Sequence, residues 1–163
     1  MASIILPDGN HQKLLCYHKA KLVYALNNWF IENTDLRFKR TKEQMEHAAR
    51  SGKQNIVEGL NNYATSKAGG IHLVNVAKGS LKELKEDYED FLLRHGIKQW
   101  SYTDKLFKRA QELGKEKNND VDFFIKKVSD FEPGDDSQHH NSIYRAGNIS
   151  DWPIHEIIRE RSP

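Results

Sequence analysis

An apolar repeat at alternating spacings of three and four residues is the feature that most constrains the fold. It lies within Lys67–Arg94 and is typical of a helix that packs along its whole length against other helices. Ser66 or Thr65 can cap its start, and His95 with Gly96 gives a C-terminal glycine signal. We therefore predict a long third helix over 67–94, with a core stripe of Val74, Ala77, Leu81, Leu84, Tyr88 and Phe91.

Two further helices are predicted before this one. Helical spacing of apolar residues predicts a first helix over His11–Asn33. Thr41 can cap a second helix that runs to Tyr63, and Gln44 completes a capping-box pattern with it. The predicted core stripe of the first helix is Leu15, Leu22, Leu26 and Trp29, flanked by Leu14, Ala25 and Phe30.

The stripe of the second helix is unusual because it holds small residues. A glycine in a helix interior costs about 1 kcal/mol relative to alanine. Two of them on one stripe indicate that a neighbouring helix approaches closely enough to offset that cost. The predicted inward stripe is Met45, Ala49, Gly52, Ile56, Gly59 and Tyr63.

The remainder of the chain is less regular. Asp104 or Thr103 can cap a helical segment over 104–131, which is either one helix with a break near 117–120 or two short helices. After Glu132 the sequence becomes polar, and we predict an irregular tail over 132–163 with room for a short helix near 155–161. The expected fold is all-α: an up-and-down antiparallel four-helix bundle over 1–131.

Composition excludes several classes of protein. Lys and Arg number 25 against 23 Asp and Glu, so the chain does not bind nucleic acid by overall charge alone. The single cysteine, Cys16, allows no internal disulfide and no cysteine-based zinc site. No apolar run resembles a signal peptide or a membrane span, so we expect a cytoplasmic protein.

Two motifs resemble a known family. The first lies in the block 44–59 and reads Asn-Ile-x-Glu-Gly at its end, and the second reads Ala-x-Gly-Ser-Leu-x-Glu-Leu over 77–84. In this order and separation they resemble the bacterial four-helix-bundle family. That family includes proteins encoded in 23S rRNA intervening sequences, the four helix bundle suffix proteins, and the accessory variability determinant of diversity-generating retroelements. The match covers roughly residues 19–100.

The resemblance implies a four-helix-bundle protomer that forms a homo-oligomer, with a pentamer favoured. In the retroelement branch it also implies nucleic acid and a reverse transcriptase as partners. It supplies no catalytic residues. The apolar C-terminal helix of the suffix-type proteins is not found here. Either 104–131 therefore supplies the fourth helix, or the bundle is incomplete alone, which favours oligomerisation.

Basic residues are concentrated in two zones that the near-neutral total conceals. The second zone comprises Lys105, Lys108, Arg109, Lys115 and Lys117, and the end of the third helix is acidic instead. Basic zones of this kind can follow phosphates without reading bases. We take the first zone as the candidate nucleic-acid-binding site: Arg37, Lys39, Arg40, Lys42, Arg50 and Lys53.

Other chemistries find weaker support in the sequence. Gln54, Asn55 and Glu58 could read a ligand, but a polar residue in a helix seam more often fixes the helix register. The histidines do not follow a glutamate at the spacing of a di-iron site, so we expect no metal and no cofactor. We expect a protein that is not an enzyme and that contacts RNA or DNA. The alternative is a protein-interaction scaffold that binds no nucleic acid.

Overall fold

A computed structural model of the protein describes residues 15–34, 36, 39–116 and 120–129. Within these ranges the chain is helical and contains no β-strand, which confirms the predicted all-α class. The tail over 132–163 and the predicted helical start at 11–14 lie outside the described residues. In chain order the described helices are α1 (Leu15–Asn33), α2 (Lys39–Tyr63), α3 (Lys67–Arg94), α4 (Lys105–Gly114) and α5 (Val121–Ser129).

Among the described helices, α2 and α3 form the most extensive packing, as a hairpin. A turn over 64–66 joins the two helices, so that they run antiparallel. Ser66 caps α3, since its hydroxyl oxygen accepts a hydrogen bond of 3.1 Å from the Gly69 N–H. At the other end Gly96 has φ +67, a left-handed conformation that glycine adopts without strain. Both predicted ends of α3 are confirmed.

Glycines bring the two helices of the hairpin into contact. A Cβ atom added at Gly52 would lie 2.7 Å from the side chain of Leu81. One added at Gly59 would lie 2.9 Å from the carbonyl oxygen of Gly70, and one added at Gly70 would lie 2.6 Å from the carbonyl oxygen of Gly59. The predicted close approach is therefore present, and it includes Gly70, which the apolar spacing of α3 did not indicate.

The start of α2 differs from the prediction. The helix begins at Lys39, so Thr41 lies within its first turn and the prediction of Thr41 as N-cap is wrong. An N-cap residue needs a non-helical backbone, whereas Thr41 follows two residues, Lys39 and Arg40, that are already helical. The predicted core stripe is buried from Met45 to Gly59, and Tyr63 at its end is half-buried.

The first helix lies against α2 and runs parallel to α3. The Tyr88 hydroxyl donates a 2.8 Å hydrogen bond to Asn27 Oδ1, and both side chains are fully buried. The ring of Phe30 packs 5.1 Å from that of Tyr88 and 5.3 Å from that of Phe91. The three long helices thus run up, down and up around an aromatic core.

The buried face of α1 is rotated from the predicted stripe. Leu22 and Leu26 are buried as predicted, but Trp29 is half-buried and Leu15 is 47% exposed. Lys19 is buried instead, where its amine donates a 2.9 Å hydrogen bond to the carbonyl oxygen of Glu116. The rotation arises because α1 packs on α5 as well as on α2 and α3.

The C-terminal part of the described chain forms two short helices rather than one. Phe124 and Val128 of α5 are buried in the main core against α1. Asp104 precedes α4 as predicted but caps no helical N–H, since its Oδ2 accepts a 2.6 Å hydrogen bond from the Ser101 N–H. Three long and two short helices do not establish the predicted up-and-down four-helix arrangement.

Two glycines of α3 give a matched test of the close contact. We expect Gly70→Ala to lower the free energy of unfolding by about 1–3 kcal/mol, since the added methyl meets the backbone of α2. A Cβ at Gly79 meets nothing within 4 Å, so Gly79→Ala should raise stability by roughly 0.5–1 kcal/mol through helix propensity. Urea unfolding of both variants measures the difference, and equal effects would contradict the packing.

Candidate nucleic-acid interface

The helical geometry of α2 separates the six predicted basic residues. Four of them, Lys39, Lys42, Arg50 and Lys53, fall within about 80° of one another around the helix axis. They form what we call the basic row, which spans about 21 Å along α2. Spacings of three, eight and three residues produce it, since they deviate from whole turns by about −60°, +80° and −60° and these deviations largely cancel.

Members of the basic row differ in how they are held. Lys39 and Arg50 are exposed, and the Lys39 amine lies 3.5 Å from the carboxylate of Glu43 in a solvent-exposed pair. Lys53 is half-buried, with its amine 4.1 Å from the centre of the Tyr24 ring on α1. This cation–π contact holds the amine at the α1–α2 boundary.

Arg40 does not belong to the row. It lies about 100° from Lys39 around the axis of α2, on the side toward α3. There it lines a groove of about 550 Å³ together with acidic residues of α3 that include Glu83 and Glu86. Arg37, the remaining predicted residue, lies outside the described residues. The structure therefore groups four of the six candidates and places one of them in acidic surroundings.

The second basic zone lies on and after α4. Lys105, Lys108 and Arg109 are exposed, and the Lys115 amine forms a 2.8 Å ion pair with Glu112. Lys117 lies outside the described residues. These basic residues lie close together in the sequence, on and just after a short helix. They are far along the chain from the basic row of α2.

The polar residues near the end of α2 form a network between helices. The side-chain amide of Asn55 donates to Ser51, with 2.9 Å to its carbonyl oxygen and 3.1 Å to its hydroxyl oxygen. The hydroxyl of Ser51 lies 2.9 Å from that of Ser80 on α3. Gln54 and Glu58 are exposed on the outer side. The hydrogen bond of this network that crosses to α3 is the one between Ser51 and Ser80, and Asn55 supports it by holding Ser51 from within α2.

The acidic end of α3 is visible in the sequence, but its effect on one carboxyl group is not. Asp87 is half-buried beside Asp90, Glu83 and Glu86. Burial raises the pKa of the Asp87 carboxyl above its usual value, and the three neighbouring carboxylates raise it further, while Arg94 opposes them. The spacing of these acidic residues on α3 is visible in the sequence. Finding that Asp87 is partly buried also requires the register of α3 against α2.

Metal-binding and membrane-spanning features are absent from the described part of the chain. It holds no group of three or more His, Cys, Asp or Glu side chains arranged to bind a metal ion. Within the same residues, no helix combines the length and apolar character that crossing a membrane requires. Cys16 is half-buried and packs against a small cluster at the start of α1, formed by Ala20, Ile56, Leu60 and Ala77.

Comparisons with known proteins give no relative to this chain. A scan against protein-family models finds no match, and neither curated proteins nor solved structures include a matching one.

The carboxyl of Asp87 yields a pH prediction. Because its pKa is raised in the folded chain above the unfolded value of 3.8, the folded state binds more protons between these two pKa values, and stability falls as pH rises through that window. Asp87→Asn removes this penalty. We expect a higher melting temperature than the parent at pH 7 and a smaller gain as pH falls toward 3.8. Thermal unfolding by circular dichroism measures both.

A matched change at an exposed position controls for the loss of one negative charge. Asp122→Asn on α5 alters an exposed carboxyl group and should not reproduce the gain at pH 7. An Asp87→Asn protein that melts at or below the parent temperature at pH 7 would contradict the assignment.

Proposed function

We propose that the protein is a non-enzymatic helical-bundle protein that contacts RNA or DNA through the basic row of α2. The observation that carries the proposal is the alignment of Lys39, Lys42, Arg50 and Lys53 on one side of a single long helix. A rigid helix holds these charges in a line, whereas an arbitrary surface would scatter them. The resemblance of the sequence to the retroelement branch of the bacterial four-helix-bundle family supports the same function.

The length of the row suits a phosphate backbone. Phosphates of one strand follow one another at 3.4 Å along a duplex axis, so about 21 Å of helix spans roughly six of them. Four cations facing such a stretch release condensed counterions, which makes binding depend on salt. Glu43 and Glu46 lie within the same turns and reduce the net charge of this side. We therefore expect moderate affinity with no sequence preference.

A protein-interaction scaffold is the second candidate. It is favoured by large apolar side chains exposed on α3, since Ile71 is 48% and Leu93 is 79% exposed. These two side chains lie about 33 Å apart along α3, so each offers a separate apolar contact point rather than part of one patch. A complete four-helix bundle, a homo-oligomer such as a pentamer, and a reverse transcriptase partner all belong to the proposal through the family resemblance alone.

A salt titration tests the proposal directly. We expect the parent protein to retain mixed-sequence RNA on a filter at low salt and to lose affinity as salt rises. In the double variant Lys39→Gln/Arg50→Gln, affinity for RNA should fall. The negative slope of log K against log salt should become shallower by about 1–2, because two phosphate contacts are lost. Both side chains are exposed, so the fold should not be disturbed.

Arg40→Gln is the matched control, because it removes a charge from the same helix on its acidic side. It should leave both affinity and salt slope near those of the parent. A parent protein that retains no RNA at low salt would favour the scaffold. A double variant with the parent's affinity and slope would show that the basic row is not the contact surface.

A further inference from the structure

A cavity of about 340 Å³ lies between the first turns of α2 and the last turns of α3. Its size falls within the range of small-molecule sites in proteins. It lies on the α3 side of α2, away from the basic row. The residues around it combine apolar, polar and charged side chains, namely Leu36, Thr41, Gln44, Asp87, Asp90, Phe91, Arg94 and His95.

One wall of the cavity is apolar and aromatic. Leu36 and Phe91 are buried core residues whose side chains reach this surface. The imidazole of His95 stacks on Phe91 at 4.1 Å between ring centres. Its Nδ1 lies 2.8 Å from the Phe91 carbonyl oxygen, a contact that restricts ring rotation. A flat apolar group can therefore lie against a wall whose side chains are already held in place.

The polar part of the cavity lining is mainly acidic. Asp87 and Asp90 line the cavity, and no hydrogen bond or ion pair joins either of them to another described residue, although the charge of Arg94 acts on Asp87. Glu83 and Glu86 line the adjoining groove. Arg94 is the cation among the cavity residues, so negative charge is in excess there.

Lys85, two residues before Asp87 in the sequence, does not relieve this excess. Lys85 pairs with Glu89, with 2.9 Å between the amine and the carboxylate oxygen. A half-buried carboxylate is normally paired or hydrogen-bonded, because burial disfavours an isolated charge. Arg94 lines the cavity and Arg40 the adjoining groove, so these two cations offset only part of the charge of four carboxylates. Asp87 thus has a cation nearby but no ion pair of its own among the described residues.

We propose that this cavity binds a small organic amine whose ammonium group pairs with Asp87 and Asp90 while its apolar body packs on Phe91 and Leu36. The site is independent of the proposed nucleic-acid contact and uses none of the residues of the basic row. An anion of similar shape would meet an excess of carboxylates. A bare divalent cation would leave the apolar wall unused.

Titration with two probes of similar shape and opposite charge tests the site. Tryptamine carries an ammonium group on an indole ring, and indole-3-propionate carries a carboxylate on the same ring. We expect tryptamine to bind the full-length protein by calorimetry and to shift the amide resonances of Phe91 and His95. Indole-3-propionate should cause neither effect at the same concentration.

Substitutions of the two aspartates test whether the ammonium group binds in the cavity. Asp87→Asn should weaken tryptamine binding by about tenfold or more, because the amine loses a charged hydrogen-bond partner. Asp90→Asn should weaken it as well, and Asp122→Asn on α5 serves as a control that should not. Circular dichroism confirms that each variant is folded.

Three results would overturn the proposal. They are a lack of tryptamine binding at concentrations up to about 5 mM, binding of indole-3-propionate with equal affinity, or parent affinity in both the Asp87→Asn and Asp90→Asn proteins. None of these bears on RNA retention by the basic row. Failure of the amine site and failure of the nucleic-acid contact are thus separate outcomes.

Discussion

Contact between the backbones of α2 and α3 at their glycines determines where the rest of the molecule lies. Gly59 and Gly70 face each other so closely that neither could carry a methyl group without displacement of the other chain segment. Gly52 leaves room for Leu81 in the same way. Each glycine costs helix stability, and dispersion attraction along the long α2–α3 interface offsets that cost. The register of the hairpin is therefore set by shape.

This register separates the charges of the two helices. It leaves the basic row at the edge of α2 that borders α1 and brings Arg40 to the acidic end of α3. Asn55, Ser51 and Ser80 add hydrogen bonds that favour the same alignment. A shift of one helical turn would place Asp87 elsewhere along α2 and remove the cavity. The two proposed surfaces thus depend on one packing arrangement.

Much of the fold could be predicted from sequence, because local patterns dominate it. The bounds of α3, its Ser66 cap and the glycine stripe of α2 follow from periodicity and capping chemistry. The buried face of α1 could not be predicted, since it depends on α5, which is distant in the chain. The candidate site was only partly predictable: sequence clustering grouped Arg40 with Lys39, whereas helical phase separates them.

Proton–proton contacts in solution test the glycine packing most directly. In a NOESY spectrum of the protein, the account predicts a cross-peak between the Hα protons of Gly59 and Gly70, and strong ones between the Hα protons of Gly52 and the Leu81 methyl groups. Both follow from the close approach of α2 and α3 at these positions. Glycine Hα protons that show contacts only within their own helix would contradict the close packing and, with it, the placement of both surfaces.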